Sequence, residues 1–322
     1  MPLQLSAQWY QHTFNTMGTR AHIEFWLDKP KTTKLNTEAN EQTDLKAQQL
    51  IQQIVTEMSR LNNAMSPYIA TSELSLLNND AGSREVTISS ELFSLLTIAQ
   101  EISVLSHGAF DITYASIGYQ YNYREKIRPQ KNAIENALPA INYQGITLIE
   151  ANNTVSFANN AIKIDLGGIA KGYAIQQCIN ILKLAGVESA LMSAGGDTIL
   201  LGDRRGRPWF VGIKHPRAED KNAVHIPLSN EAISTSGDYE RYFIEDGTRY
   251  HHIINPKTGD SAREVVSVSI IGKDATVVDA LSTTVFVKGL KEGMAFIDTL
   301  PEYEAIIIDN NQKLHFSKGL QQ

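Results

Sequence analysis

A single cysteine, Cys178, stands in the 322 residues. One thiol excludes an intramolecular disulfide and a cysteine-built zinc site. Basic charge is also short, with 29 Lys and Arg against 35 Asp and Glu and a net charge of −6. Phosphate backbones select basic surfaces, so no nucleic-acid partner is expected. No apolar run approaches the roughly 20 residues that cross a bilayer, so no membrane-spanning segment is expected. The N-terminal stretch MPLQLSAQWYQHTF has no basic start followed by an apolar core and no cysteine for a lipid, so the chain as given is read without an export signal. Repeats, low-complexity runs and long linkers are missing too. With 42% hydrophobic and 20% charged residues, the composition excludes disorder as the main state.

The patterning that is present predicts an α+β fold, a central mixed or antiparallel sheet system flanked by helices, in one domain over 1–322. Residues 19–27 alternate, with Ile23, Phe25 and Leu27 on one face, and read as a half-buried strand. Residues 28–44 are polar and lysine-rich and read as a loop. Helical spacing is read for 45–61, 90–106, 131–137, 169–185 and 274–288. The buried stripe of the fourth is Ile175, Cys178, Ile179 and Leu182, which makes Cys178 a packing residue. Short strands are read in GITLIE, TVSF and AIKIDL, divided by Asn152–Asn153 and Asn159–Asn160 turns. Further strands fill 188–270, and YEAIIID and KLHFS close the chain. Strands and helices come in blocks, which argues against strict βαβ alternation.

Five clusters carry candidate chemistry. In Asp165-Leu166-Gly167-Gly168-Ile169-Ala170-Lys171-Gly172 a strand ends in an acid, two glycines turn the chain and a helix begins. The free N–H groups of a helix start and the Lys171 charge suit an anion, while close packing is the plainer reading. It is neither a dinucleotide fingerprint nor a P-loop. Ser193-Ala194-Gly195-Gly196-Asp197 repeats the pattern, and two such corners suggest two backbones closing on one ligand. Ser234-Thr235-Ser236-Gly237-Asp238-Tyr239-Glu240-Arg241 precedes Tyr250-His251-His252 and the turn Asn255-Pro256-Lys257-Thr258-Gly259. Neighbours on a strand face opposite ways, so only one of the two histidines can face a site. Asp279 and Thr283 lie i and i+4 on a helix and offer two oxygens to a hard cation, or else Thr283 bonds back to its helix and Asp279 is solvated. Gly108-Ala109-Phe110-Asp111 sets an aromatic and an acid beside a glycine turn.

In this order these segments resemble the ApbE family of flavin transferases, which move FMN from FAD onto a serine or threonine of a protein. The resemblance also takes in Met17-Gly18-Thr19, Ser66-Pro67-Tyr68 and Ser72-Glu73-Leu74, and covers about 13–290. It implies that Met17, Tyr68, Ala109, Phe110, Asp111, Asp165, Lys171 and Ile254 line an FAD site. It implies that the Gly168 carbonyl, the Asp279 carboxylate and the Thr283 hydroxyl hold Mg²⁺, and that His252 is the catalytic histidine, with Asp238 and Arg241 nearby. Asp279 counts as catalytic through that ion.

The implied activity is attack of an acceptor hydroxyl on the FMN-side phosphorus of FAD, with AMP leaving. Positioning and charge neutralisation do most of the work in such transfers. A histidine titrates in the range a general base needs. The implied partner is a protein with a Ser/Thr flavinylation motif, such as a redox-complex subunit. Two alternatives use the same residues: an FAD pyrophosphatase with water as acceptor, and a flavin-binding protein without turnover. The sequence departs from the family in two ways. Where many relatives continue Phe-Asp with proline and valine, this chain has Ile112-Thr113-Tyr114-Ala115-Ser116 and a tyrosine-rich stretch to Tyr123. Many relatives are lipoproteins facing the periplasm from the inner membrane, a location this chain's N-terminal stretch does not signal.

Overall fold

A computed structural model describes residues 8–28, 37–218 and 220–321. Its frame is an eight-stranded sheet whose strands are ordered in space as they are ordered along the chain, with other strands intervening in sequence: Gln8–Thr16, Thr19–Leu27, Ala190–Ala194, Asp197–Leu201, Ala232–Gly237, Val265–Gly272, Glu304–Asp309 and Leu314–Phe316. Every pairing is antiparallel. The helices are α1 (Thr37–Met65), α2 (Glu73–Asp80), α3 (Ser90–Leu105), α4 (Ala115–Gly118), α5 (Lys131–Ala137), α6 (Ala170–Leu184) and α7 (Ala275–Ile297).

Strand alternation divides the side chains between two layers. In Ala232–Gly237, Ser234 and Ser236 turn toward α7, where both meet Ser282. Ile233 turns the other way into a small core with Leu200, Trp209, Ile213, Leu228, Ile271 and Ile306, which the hairpin of Trp209–Lys214 and Asn222–Leu228 covers. Helices α6 and α7 pack on each other and on the sheet, and α1 packs on α6. The main core includes Ile54, Met58 and Leu61 of α1, Ile175, Cys178 and Leu182 of α6, and Val285 and Phe286 of α7. Each such side chain contributes about 1.5–3 kcal/mol over exposure. Burial pushes the Cys178 thiol up to about 12, so it packs as a small apolar group.

Several expectations need correction. Of the loop read at 28–44, residues 29–36 lie outside the described residues, and 37–44 are already helix. The strand Gln8–Thr16 and the helix α2 were not signalled by periodicity: the first is an exposed edge strand, the second only eight residues long. The segment AIKIDL is extended but joins no sheet. Side chains take the place of a neighbouring strand. The Asn78 amide both donates to the Ile164 carbonyl and accepts its N–H, each at 2.8 Å, and Ser116 accepts the Lys163 N–H at 3.0 Å. The helix read at 274–288 runs on to Ile297 past Gly289, whose φ of +73° breaks the geometry. The YHHII strand ends at His251 and resumes at Ile254.

At the crossing of α6 and α7, a Cβ added to Gly172 would collide with the Ala275 carbonyl and stand 2.6 Å from Asp279 Cβ. Backbone cannot give way as a flexible side chain would. Gly172→Ala is therefore expected to cost at least the ~1–3 kcal/mol of ordinary overpacking. A denaturant melt of the purified variant checks this, and an unchanged midpoint would contradict the close crossing.

Candidate active site

The site forms where the two glycine corners meet the start of α7. Asp274 caps α7 by accepting the N–H groups of Thr276 and Val277, which fixes where Asp279 and Thr283 project. Asp279 is 3% exposed, so it is not simply solvated. Its Oδ2 accepts the Gly172 N–H at 2.9 Å and lies 3.4 Å from Lys171 Nζ. Lys171 also reaches Asp197 Oδ2 at 2.8 Å. Helix α6 follows the first glycine corner and Asp197 follows the second, so the two corners do close on one locus.

Ser282 bonds back to the Asp279 carbonyl and Thr284 to the Ala280 carbonyl. Thr283 makes no such bond; its Oγ1 lies 3.4 Å from Ser236 Oγ. A Cβ on Gly168 would stand 3.1 Å from Thr283 Oγ1 and 3.3 Å from the Phe110 ring. A side chain here would press on that hydroxyl and on the ring. Asp279 and Thr283 lie one turn apart on α7, and the Gly168 backbone lies against that hydroxyl, so the oxygens on offer are a carboxylate, a hydroxyl and a backbone carbonyl, all hard donors. Among the described residues no three His, Cys, Asp or Glu side chains gather to hold a metal. A cation at Asp279 would complete its shell from water and substrate phosphate, the habit of Mg²⁺, and the residues present fit it.

The charges are coupled. Burial opposes the Lys171 charge, but Asp197 and Asp279 outweigh it and hold the ammonium above its ordinary value. Burial and the nearby Asp197 raise the Asp279 carboxyl, while Lys171 pulls it back.

The two histidines divide, though not by strand alternation, since the strand ends at His251. His251 is 2% exposed, lies 2.6 Å from the Ala262 carbonyl through Nε2, accepts the Ile253 N–H at Nδ1 and packs edge-on against Phe286. It is a structural residue. His252 follows in a bend, and its buried Nδ1 has no hydrogen-bond partner. Burial and then the positive neighbours His251, Arg241 and Lys171 push this imidazole down to about 3. It is neutral at pH 7. The unfolded chain, with an ordinary histidine near 6.5, takes up the proton first as pH falls. Stability is therefore lost between about pH 6.5 and 3, and denaturant melts at pH 7.5 and 5 should show a smaller drop for His252→Gln than for the unaltered chain.

The hairpin tip Met17–Gly18, with φ of 48° and 70°, joins the first two strands. It lies beside Arg241: a Cβ on Gly18 would stand 3.3 Å from its guanidinium. The Arg241 carbonyl accepts the His252 N–H at 3.1 Å. Met17 thus belongs to the His252 side of the site. Asp238 does not serve His252; Arg217 grips it with both terminal nitrogens and Arg249 stands 3.6 Å away.

Asp165 Oδ1 accepts the Gly167 N–H at 2.7 Å and the Tyr114 hydroxyl at 3.1 Å, bracing the first glycine corner. Ala109 and Phe110 are buried beside it in the chain's approach to α4. Asp111 accepts from Thr113 N–H and hydroxyl and from Tyr143 N–H, so both of its oxygens are engaged locally. Burial raises its carboxyl, and the Thr113 bonds work against that. Ile254 is buried with Ile117 and Tyr121. Tyr68 is 82% exposed; Tyr119 and Tyr123 feel its hydroxyl.

The tyrosine stretch that departs from the family has a role here. Tyr121 donates to the Gly259 carbonyl and Tyr123 to the His251 carbonyl, pinning both ends of the segment that carries His252 and Ile254. Sequence reading assigned no role to Tyr114 or Ser282 and took Asp197, Ser234 and Ser236 only as members of wider clusters. For Asp197 the signal was the second glycine corner. For the two strand serines it was the run of hydroxyls at 234–236.

An antiparallel sheet backed by two crossed helices, with oxygen donors, a lysine and a neutral histidine at their junction, defines an α+β enzyme site for a charged substrate. The ApbE family model matches residues 17–307, and the chain belongs to the ApbE family. It is 31% identical over 288 residues to a Treponema pallidum protein named FAD:protein FMN transferase, covering 84% of this chain and 80% of that one. A Vibrio cholerae protein of the same name is 34% identical over 251 residues, covering 74% and 75%. Among solved structures, an ApbE protein from Thermotoga maritima superposes with a TM-score of 0.84 at 33% identity, covering 98% of each chain. The flavin transferase ApbE from Vibrio cholerae gives 0.83 at 26% identity, covering 98% of this chain and 99% of that one.

Proposed function

We propose that this chain transfers FMN from FAD to a serine or threonine hydroxyl of an acceptor protein, with Mg²⁺ at Asp279, Thr283 and the Gly168 carbonyl, and releases AMP. The observation that supports the reading is a corner where Lys171 meets Asp279 and the Gly168 backbone meets Thr283, with the unpartnered His252 ring within the field of Lys171. The shared name of the relatives supports the flavin chemistry.

Lys171 binds the pyrophosphate charge. The Phe110 and Tyr68 rings and the Met17 tip border the dinucleotide. His252 accepts the acceptor's hydroxyl proton as its oxygen forms a bond to the FMN-side phosphorus, and the bridging P–O bond to AMP breaks. Bound divalent metal supplies charge neutralisation at the pyrophosphate. Burial first, then His251, Arg241 and Lys171, hold His252 neutral before substrate arrives. A bound pyrophosphate offsets that positive field and raises the basicity of the ring as the proton must move.

The test is incubation with FAD, Mg²⁺ and a purified acceptor carrying a Ser/Thr flavinylation motif, followed by mass spectrometry. A gain of one FMN residue on the acceptor is expected. Free FMN and AMP with an unlabelled acceptor would replace the reading with FAD hydrolysis, and tight FAD binding without products would make the chain a carrier. The redox-complex subunit as natural acceptor and a location on the periplasmic face of the inner membrane follow from the same family reading. Both are tested by finding covalent FMN on such a subunit only in cells that contain this protein.

A further inference from the structure

Asp197 is a buried carboxylate with a narrow set of partners. It is 2% exposed and opens the strand Asp197–Leu201, just after the Gly195–Gly196 turn. Its Oδ1 accepts the hydroxyl of Ser234. Its Oδ2 faces Lys171 Nζ at 2.8 Å. The backbone holds it in place: Asp197 pairs with Ser234 across the sheet, and Thr235 N–H donates to the Gly196 carbonyl at 3.0 Å. On its other side the same ammonium lies 3.4 Å from Asp279 Oδ2 and 3.5 Å from the Gly167 carbonyl. Lys171 is thus suspended between two buried carboxylates, of which only Asp279 belongs to the oxygen set for a divalent cation.

That arrangement poses a conflict. A divalent ion at Asp279 would sit beside the Lys171 ammonium, and like charges at such range repel. Were Asp279 the sole anion in reach, Lys171 would compete with the ion for it. We propose that Asp197 is a positioning residue that draws the Lys171 ammonium aside, so that the lysine and a divalent cation stand together against the FAD pyrophosphate instead of competing for Asp279. The inference rests on the metal reading of the site above. Asp197 makes no hydrogen bond with Asp279 or Thr283; its ion pair is with Lys171, and it acts through that lysine. Outer partners of this kind typically set metal affinity by 10- to 100-fold.

The test is a double-substitution cycle read by Mn²⁺ binding to the flavin-free full chain, by calorimetry or by loss of the free-ion EPR signal. Asp197→Asn keeps an oxygen for the Ser234 hydroxyl and removes the charge. It is expected to weaken Mn²⁺ at least tenfold. Lys171→Met alone is expected to leave affinity equal or tighter. In the Lys171→Met background, Asp197→Asn is expected to change affinity by less than about threefold. An equal loss in both backgrounds would mean that Asp197 acts on the ion directly, and unchanged affinity in Asp197→Asn would mean that it does not act at all; either overturns the proposal. Asp197→Ser is the second variant should the asparagine fail to fold, with thermal midpoints separating a folding defect from a binding one. Failure of the transfer assay with an intact cycle would refute the function and leave this inference standing, whereas an unaltered chain that binds Mn²⁺ no better than Asp279→Asn would remove the metal site itself.

Discussion

His252→Ala is expected to lower FMN transfer by about 10²–10⁴-fold, the range a positioned general base supplies, with FAD affinity nearly unchanged. The split between turnover and binding follows from the site. The ring contributes an unpartnered nitrogen, not a bond that holds the fold, since its Nδ1 has no partner to lose. The neighbouring histidine supplies the contrast. His251→Ala would break the contact with the Ala262 carbonyl and leave the Phe286 edge unpacked, so it should lower the melting midpoint. Stopped-turnover assays, FAD fluorescence titration and thermal melts on the pair separate the two roles. A His252→Ala protein that transfers FMN at the ordinary rate would assign the proton to another group.

Asp279→Asn is expected to cost a comparable 10²–10⁴-fold in transfer, for a different reason. The carboxylate is the one anion in the oxygen set, and the ion it would hold contributes several kcal/mol to the charge that develops on the leaving phosphate. The fold should not suffer. An asparagine oxygen can still accept the Gly172 N–H, and Lys171 retains Asp197. Removing a buried charge whose own burial disfavours it should hold the melting midpoint or raise it. Transfer should stay low however much Mg²⁺ is added, if the site can no longer hold the ion. Full rate at high Mg²⁺ would show that Asp279 tunes affinity only, and full rate at ordinary Mg²⁺ would exclude it from the site.

The sequence was most readable where one physical period dominated. The strand at 19–27 and the stripe of α6 stood out because alternation or helical spacing there coincides with burial. It was least readable where side chains do the work of backbone. AIKIDL has the apolar spacing of a strand, yet Asn78 and Ser116 satisfy its polar groups and no second strand is needed. The edge strand 8–16 hid for the opposite reason: much of it is exposed, so its residues carry little apolar pattern. Within the site, Lys171 lies beside Asp279 and the Gly168 backbone beside Thr283. Asp197 and Tyr114 were harder, because their importance lies in a partner far along the chain that no local spacing displays. Strand alternation allowed only one histidine to face the site, but the choice between the two came from the resemblance; the hydrogen bonds of His251 give it a physical cause.

Four phenols, Tyr114, Tyr119, Tyr121 and Tyr123, form the stretch that runs from the Asp165 corner to the His252 segment, and burial holds the hydroxyl of each above its free value. They can give a hydrogen but carry no charge at any working pH. Their hydroxyls are already given to Asp165 and to the Ile164, Gly259 and His251 carbonyls, so this side offers shape without charge. The charge-handling is confined to the corner of Lys171, Asp197 and Asp279, where two charged side chains are nearly out of reach of the bulk salt. In an enzyme divided in this way salt can reach only the Lys171 ammonium, whose side chain is 27% exposed, and not the two carboxylates that hold it.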